Sequence, residues 1–143
     1  MDAQVDMTGA PARTDYRVLV TGSRVADPGP TQQAIEAQFD SLAAYAADAQ
    51  RDVIIIHGGA KGVDSIAHEV ARSRLFTTVV EYPQWDAFES PGQAAYARNV
   101  LMVERWQPDV CLAFSAGTRG TAHQMAIAGQ HSIPVREIQV PRV

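Results

Sequence analysis

Glycines, hydroxyls and cationic side chains recur together at separate points of this chain, a combination suited to binding phosphate. Thr21-Gly22-Ser23-Arg24 supplies a turn glycine, a hydroxyl and a guanidinium that can fork onto an anion. Gly58-Gly59-Ala60-Lys61-Gly62 is followed by Val63-Asp64. Glycine lets backbone N–H groups approach a phosphate closely, and a following helix offers its positive end. The spacing is neither the Walker A nor the dinucleotide GxGxxG pattern. Asp64 falls in a first helical turn, where the dipole favours a carboxylate; a hydrogen bond to a ribose hydroxyl is its competing role. Gly117-Thr118-Arg119-Gly120-Thr121 opens a further helix with two hydroxyls and unpaired N–H groups. Arg98-Asn99 follows a long loop whose Tyr82 and Trp85 could stack on a base or plug the loop onto the core. His57, His68 and Asp64 lack a familiar ligand spacing, so no metal is expected. Asp64 and His68, four apart, read instead as a pair on one helix face.

The elements that must position these groups alternate. Strand-like apolar runs occupy about 16–21, 53–57, 77–81, 109–114 and 133–138. Helical stripes occupy about 32–48, 62–74, 93–106 and 120–130. Asp27-Pro28-Gly29-Pro30 reads as a turn with Thr31 as N-cap, and 82–92 as an irregular loop. Short β-branched runs fit strands buried on both faces. The expected fold is therefore α/β, a Rossmann-like doubly wound parallel sheet of about five strands with helices on both faces. A ligand then sits at the carboxyl ends of the strands, near the topological switch point, where all the candidate loops fall.

Composition narrows the classes. Residues 1–14 are small and polar and read as a disordered tail, leaving 15–143 as one domain. A formal net charge of −4 argues against broad electrostatic binding to nucleic acid. A local basic mouth remains open to Arg24, Lys61, Arg98 and Arg119. The single cysteine, Cys111, lies in an apolar run and builds no disulfide framework. No run approaches a membrane span and the N-terminus lacks a signal-peptide pattern, so a cytoplasmic protein with no membrane partner is expected.

Taken in order, these residues carry a family likeness. The chain resembles the SLOG superfamily of Rossmann-like proteins, which includes DprA (Smf) and the LOG phosphoribohydrolases, and is most similar to its YspA-type branch. The likeness spans about 16–136. It rests on Thr21–Arg24, on Gly58-Gly59-Ala60-Lys61-Gly62-Val63-Asp64-Ser65-Ile66-Ala67-His68, on Tyr82-Pro83 with Trp85, on Arg98-Asn99 with Met102, and on Ala113-Phe114 before Gly117–Thr121. It implies binding of a nucleotide or nucleotide derivative, as sensor or processor. In the LOG enzymes a helix arginine and a glutamate act on an N-glycosidic bond. Arg98 matches that arginine and is the foremost catalytic candidate, while Gln124 stands at the glutamate position. An amide cannot stabilise the positive charge that develops on the ribose. Glu81, Glu104 and Asp64 are the carboxylates left to replace it. Two alternatives therefore stand beside nucleotide binding: a nucleoside-monophosphate phosphoribohydrolase of the LOG kind, and a DprA-like binder of single-stranded DNA. No cofactor is implied. A homodimer is implied by the resemblance and suits the alanine-rich first helix, with Ala43, Ala44, Ala46 and Ala47.

Overall fold

The computed structural model describes residues 14–143; apart from Thr14, the expected disordered tail lies outside the described residues. The order is β1 (Asp15–Gly22), α1 (Pro28–Ala49), β2 (Asp52–His57), α2 (Val63–Ser73), β3 (Thr77–Val80), α3 (Pro91–Trp106), β4 (Val110–Ser115), α4 (Arg119–Gln130) and β5 (Val135–Gln139). A single 3-10 turn, Trp85–Ala87, interrupts the loop before α3. The five strands pair in parallel in the order β3-β2-β1-β4-β5.

Period-two alternation in the strands builds a core on each side of the sheet. Val18 and Val20 of β1 join Ile55, Leu112 and Phe114 against Ile35 and Phe39 of α1 and Val63, Ala67 and Val70 of α2. Leu19, between them, joins Ile56 and Cys111 on the opposite face, under Met102 and Val103 of α3 and Ala128 of α4. Burial pushes the Cys111 thiol up to about 12, so it stays an inert core group. No helix among the described residues is long and apolar enough to cross a membrane.

The first helix begins earlier than its sequence suggests. Asp27, not Thr31, is the N-cap, and Pro28 opens the helix. Proline at the first helical positions loses only N–H groups that have no intrahelical partner, so Pro-Gly-Pro starts the helix instead of preceding it. Thr31 is buried inside α1, its N–H donating to the Asp27 carbonyl at 3.1 Å. For the same reason α3 begins at Pro91, with Ser90 accepting from the Gln93 N–H at 3.2 Å. The last residues strap the loop after β1. Val140 is buried, the Asp27 N–H donates to Pro141 O at 2.8 Å, and the Val143 N–H donates to Val25 O at 2.8 Å.

Candidate functional site

β1 and β4 are neighbours whose following helices leave for opposite faces of the sheet, which opens a crevice at their carboxyl ends. Ser23 stitches the two loops beneath it. Its buried Oγ accepts from the Ala116 N–H at 2.9 Å and lies 2.9 Å from Thr118 Oγ1, which lies 3.1 Å from Thr121 Oγ1. Thr118 is the N-cap residue of α4, yet its side chain makes no capping bond. The first turn of α4 thus has no side-chain cap and no acidic residue of its own to meet its N–H groups.

The loop between β2 and α2 is closed differently. Asp64, only 5% exposed, accepts through Oδ2 from the Gly58 N–H at 3.2 Å and the Ala60 N–H at 3.1 Å. A side-chain carboxylate therefore occupies the place where this glycine loop would cradle a phosphate. Its Oδ1 is buried with no hydrogen-bond partner among the described residues. Burial pushes the Asp64 carboxyl up to about 6, opposed by the two amide bonds and by the Arg98 and Arg24 charges. Gly62 sits at φ +84, and a β-carbon there would run into the Ser23 carbonyl, so the turn into α2 requires glycine.

Arg98 reaches from α3 over the sheet edge. Its Nη1 donates to the carbonyls of Gly58 and, at 3.4 Å, Glu81, and its Nε donates to Asn99 Oδ1 at 3.1 Å. The guanidinium lies so close to Gly58 that a β-carbon has no room. Asn99 is buried; its Nδ2 is 3.0 Å from His123 Nδ1 on α4, and the His123 ring lies 4.1 Å from that of Tyr96.

These groups line one cavity of about 360 Å³, a size suited to a small ligand. Of the residues singled out from sequence, Gly22, Arg24, Ala60, Asp64, Arg98, Asn99, Thr118, Gly120 and Thr121 line it, joined by Thr21, Val25, Ala95 and Tyr96. Ser23 and Gly58 are buried and lie outside the lining. Gly59, Lys61, Gly62, Gly117 and Arg119 fall outside the lining, Lys61 and Arg119 being exposed. Arg24 is exposed and makes no hydrogen bond or ion pair with the described residues.

Four side chains singled out from sequence, His68, Gln124, Glu81 and Glu104, are engaged away from the cavity. His68 pairs with His57, not with Asp64: His57 Nε2 lies 2.9 Å from His68 Nδ1. The Gly59 N–H donates to His57 Nδ1 at 3.0 Å, which places the His57 proton on Nε2, aimed at His68. Burial, then the His68 and Arg98 charges, lower the His57 pKa to about 4. Gln124 is fully buried between α3 and α4, its Nε2 donating to Asn99 O at 3.3 Å, and it does not line the cavity. Glu81 is held by Arg105 and Trp106 Nε1, at 3.1 and 2.9 Å, and Glu104 lies 3.8 Å from His131. Asp64 is thus the one carboxylate in the cavity lining. No group of three or more His, Cys, Asp or Glu among the described residues is arranged to hold a metal.

The aromatic wall was missed in the sequence. Tyr82 and Trp85 are exposed outside the lining, and Tyr96 supplies the ring instead. The available signal was spacing: Tyr96 and Asn99 are three apart on α3.

Comparisons with known proteins accord with this architecture. A model of the YspA, cpYpsA-related SLOG family matches residues 16–88. The Gene 61 protein of Mycobacterium phage D29 is 37% identical over 123 residues, covering 83% of this chain and 93% of the phage protein. DNA processing protein A (DprA) from Streptococcus pneumoniae shares the fold with a TM-score of 0.66 at 16% identity, over 86% of this chain and 50% of that one. The protein TM1055 shares it with a TM-score of 0.62 at 20% identity, over 84% and 72%. The chain thus spans half the length of that DprA.

Proposed function

The chain belongs to the YspA, cpYpsA-related SLOG family, and on that premise we propose that it binds a nucleotide or nucleotide derivative in the cavity between β1 and β4. One observation carries the reading: an uncapped helix start and two arginines face a single crevice that also holds an aromatic ring. Phosphate is the group that a helix N-terminus, hydroxyls and guanidinium groups share. The α4 start with Thr118 and Thr121 takes one face of it, and Arg24 closes over the other. Tyr96, backed by the His123 ring, offers an apolar surface to a base. Binding is favoured over LOG-type hydrolysis because Gln124 carries no charge and is packed away from the cavity.

The test is a thermal-shift screen against nucleotides, ADP-ribose, NAD-derived compounds and a single-stranded oligodeoxynucleotide, followed by calorimetry. Native-state binding raises the melting temperature by linkage. Gly120→Val should abolish the shift, because it adds bulk at a residue of the cavity wall whose β-carbon would meet no protein atom within 4 Å. A shift with the oligonucleotide alone would move the assignment to DNA binding, a reading that the structural likeness to a DNA processing protein keeps in the screen. Undiminished affinity in Gly120→Val would place the ligand elsewhere.

A further inference from the structure

We propose that Asp64 accepts a hydrogen bond from a sugar hydroxyl of the ligand, so that the cavity selects ribonucleotides over deoxyribonucleotides; this rests on nucleotide binding in the same cavity. The argument starts from an incomplete carboxylate. Oδ2 already serves the Gly58 and Ala60 amides, and those two bonds are the carboxylate's part in closing the loop. Oδ1 contributes nothing to closure and is buried without a partner. An unsatisfied buried acceptor is costly, and such groups in folded proteins call for a missing donor.

The rest of the cavity indicates which donor. Arg24, Arg98 and the α4 amides only donate, and they suit the acceptor oxygens of phosphate. An ionised carboxylate only accepts, and it repels phosphate. The ligand must therefore turn a neutral donor toward Asp64. The ribose hydroxyls are the donors common to every ribonucleotide, whatever its base. A strand of DNA has no 2′-hydroxyl, and its internal 3′-oxygens are esterified. The carboxylate thus sorts free ribonucleotide from single-stranded DNA at one atom.

The experiment titrates the protein calorimetrically with the four ribonucleoside 5′-monophosphates and with their 2′-deoxy, 3′-deoxy and 2′-fluoro-2′-deoxy counterparts. The expected result is that loss of one sugar hydroxyl weakens binding by about 10- to 100-fold, the size of a hydrogen bond to a charged group. If the 2′ position is the one read, the 2′-fluoro compounds should bind as weakly as the 2′-deoxy ones, because fluorine cannot donate. In Asp64→Asn the ribose preference should shrink to within a few-fold, with deoxynucleotide affinity little changed. Equal affinity for all four sugar types would overturn the role of Asp64 and leave nucleotide binding standing. So would a preference set by the amino group of the base alone, or a full ribose preference retained in Asp64→Asn. The sugar series needs no variant and decides even if Asp64→Asn fails to fold. No binding of any member would overturn nucleotide binding and this inference with it.

Discussion

Arg24 and Arg98 bring the same charge to one cavity, but the chain holds them differently. Arg98 is tied to the carbonyls of Gly58 and Glu81, whereas Arg24 has no such partner. Arg98→Ala leaves those carbonyls short of a donor and should cost about 1–3 kcal/mol of stability. Arg24→Ala should change stability by less than about 0.5 kcal/mol. Both should lose phosphate affinity, so urea unfolding alongside calorimetry separates a structural arginine from a purely ligand-binding one. An equal stability loss in both would contradict this division. Arg98 was legible as a candidate through the family likeness, not from its place after the long loop, and its partners were not legible. They lie 40 and 17 residues away, and nothing in local spacing reports such contacts.

At the scale of the element, the end of β2 and the start of α2 carry two titrating groups with opposite effects, one on each side of the loop between them. Asp64 has a pKa near 6 in the folded protein against an ordinary 3.8. Between those values the folded state holds the extra proton, so stability falls as pH rises through the window. His57 has a pKa near 4 against an ordinary 6.5. There the unfolded state holds the extra proton, so stability rises with pH. The windows overlap and the two slopes oppose, each worth on the order of 1–3 kcal/mol at about 1.4 kcal/mol per unit. Asp64→Asn should therefore make stability climb more steeply from pH 4.5 to 6.5 than in the unaltered protein. His57→Gln should make it fall, as followed by urea midpoints. Parallel pH profiles in all three proteins would show that these groups do not titrate as described. The strands themselves were readable as apolar runs, because both sheet faces are covered. The starts of α1 and α3 were not, because Pro28-Gly29-Pro30 and Pro91 carry the same residues in a turn and in a first helical turn.

For the whole molecule, the order β3-β2-β1-β4-β5 converts scattered loops into one site. Strict βα alternation made the parallel sheet legible, and with it the edge where its loops gather. It could not say that the loop after β2 closes on its own carboxylate, while that after β4 stays open. The C-terminal strap is a property of the same scale. It joins residues 140–143 to Val25 and Asp27, beside Arg24. Removing 140–143 should lower stability by about 1–3 kcal/mol, mostly through the burial of Val140. It should also weaken nucleotide binding at temperatures where the shortened chain remains folded, measured by calorimetry. Affinity unchanged in the folded, shortened protein would show that the strap does not hold the Arg24 loop in place.

Ser23, Thr118 and Thr121 form a row of three hydroxyls across the switch point. Each hydroxyl both gives and takes a hydrogen bond, so the row can be polarised in either direction while every heavy atom stays where it is. An incoming anion would select the direction in which hydroxyl protons point toward it. The adjustment is confined to O–H rotors, which makes this end of the cavity receptive to charge without a moving loop.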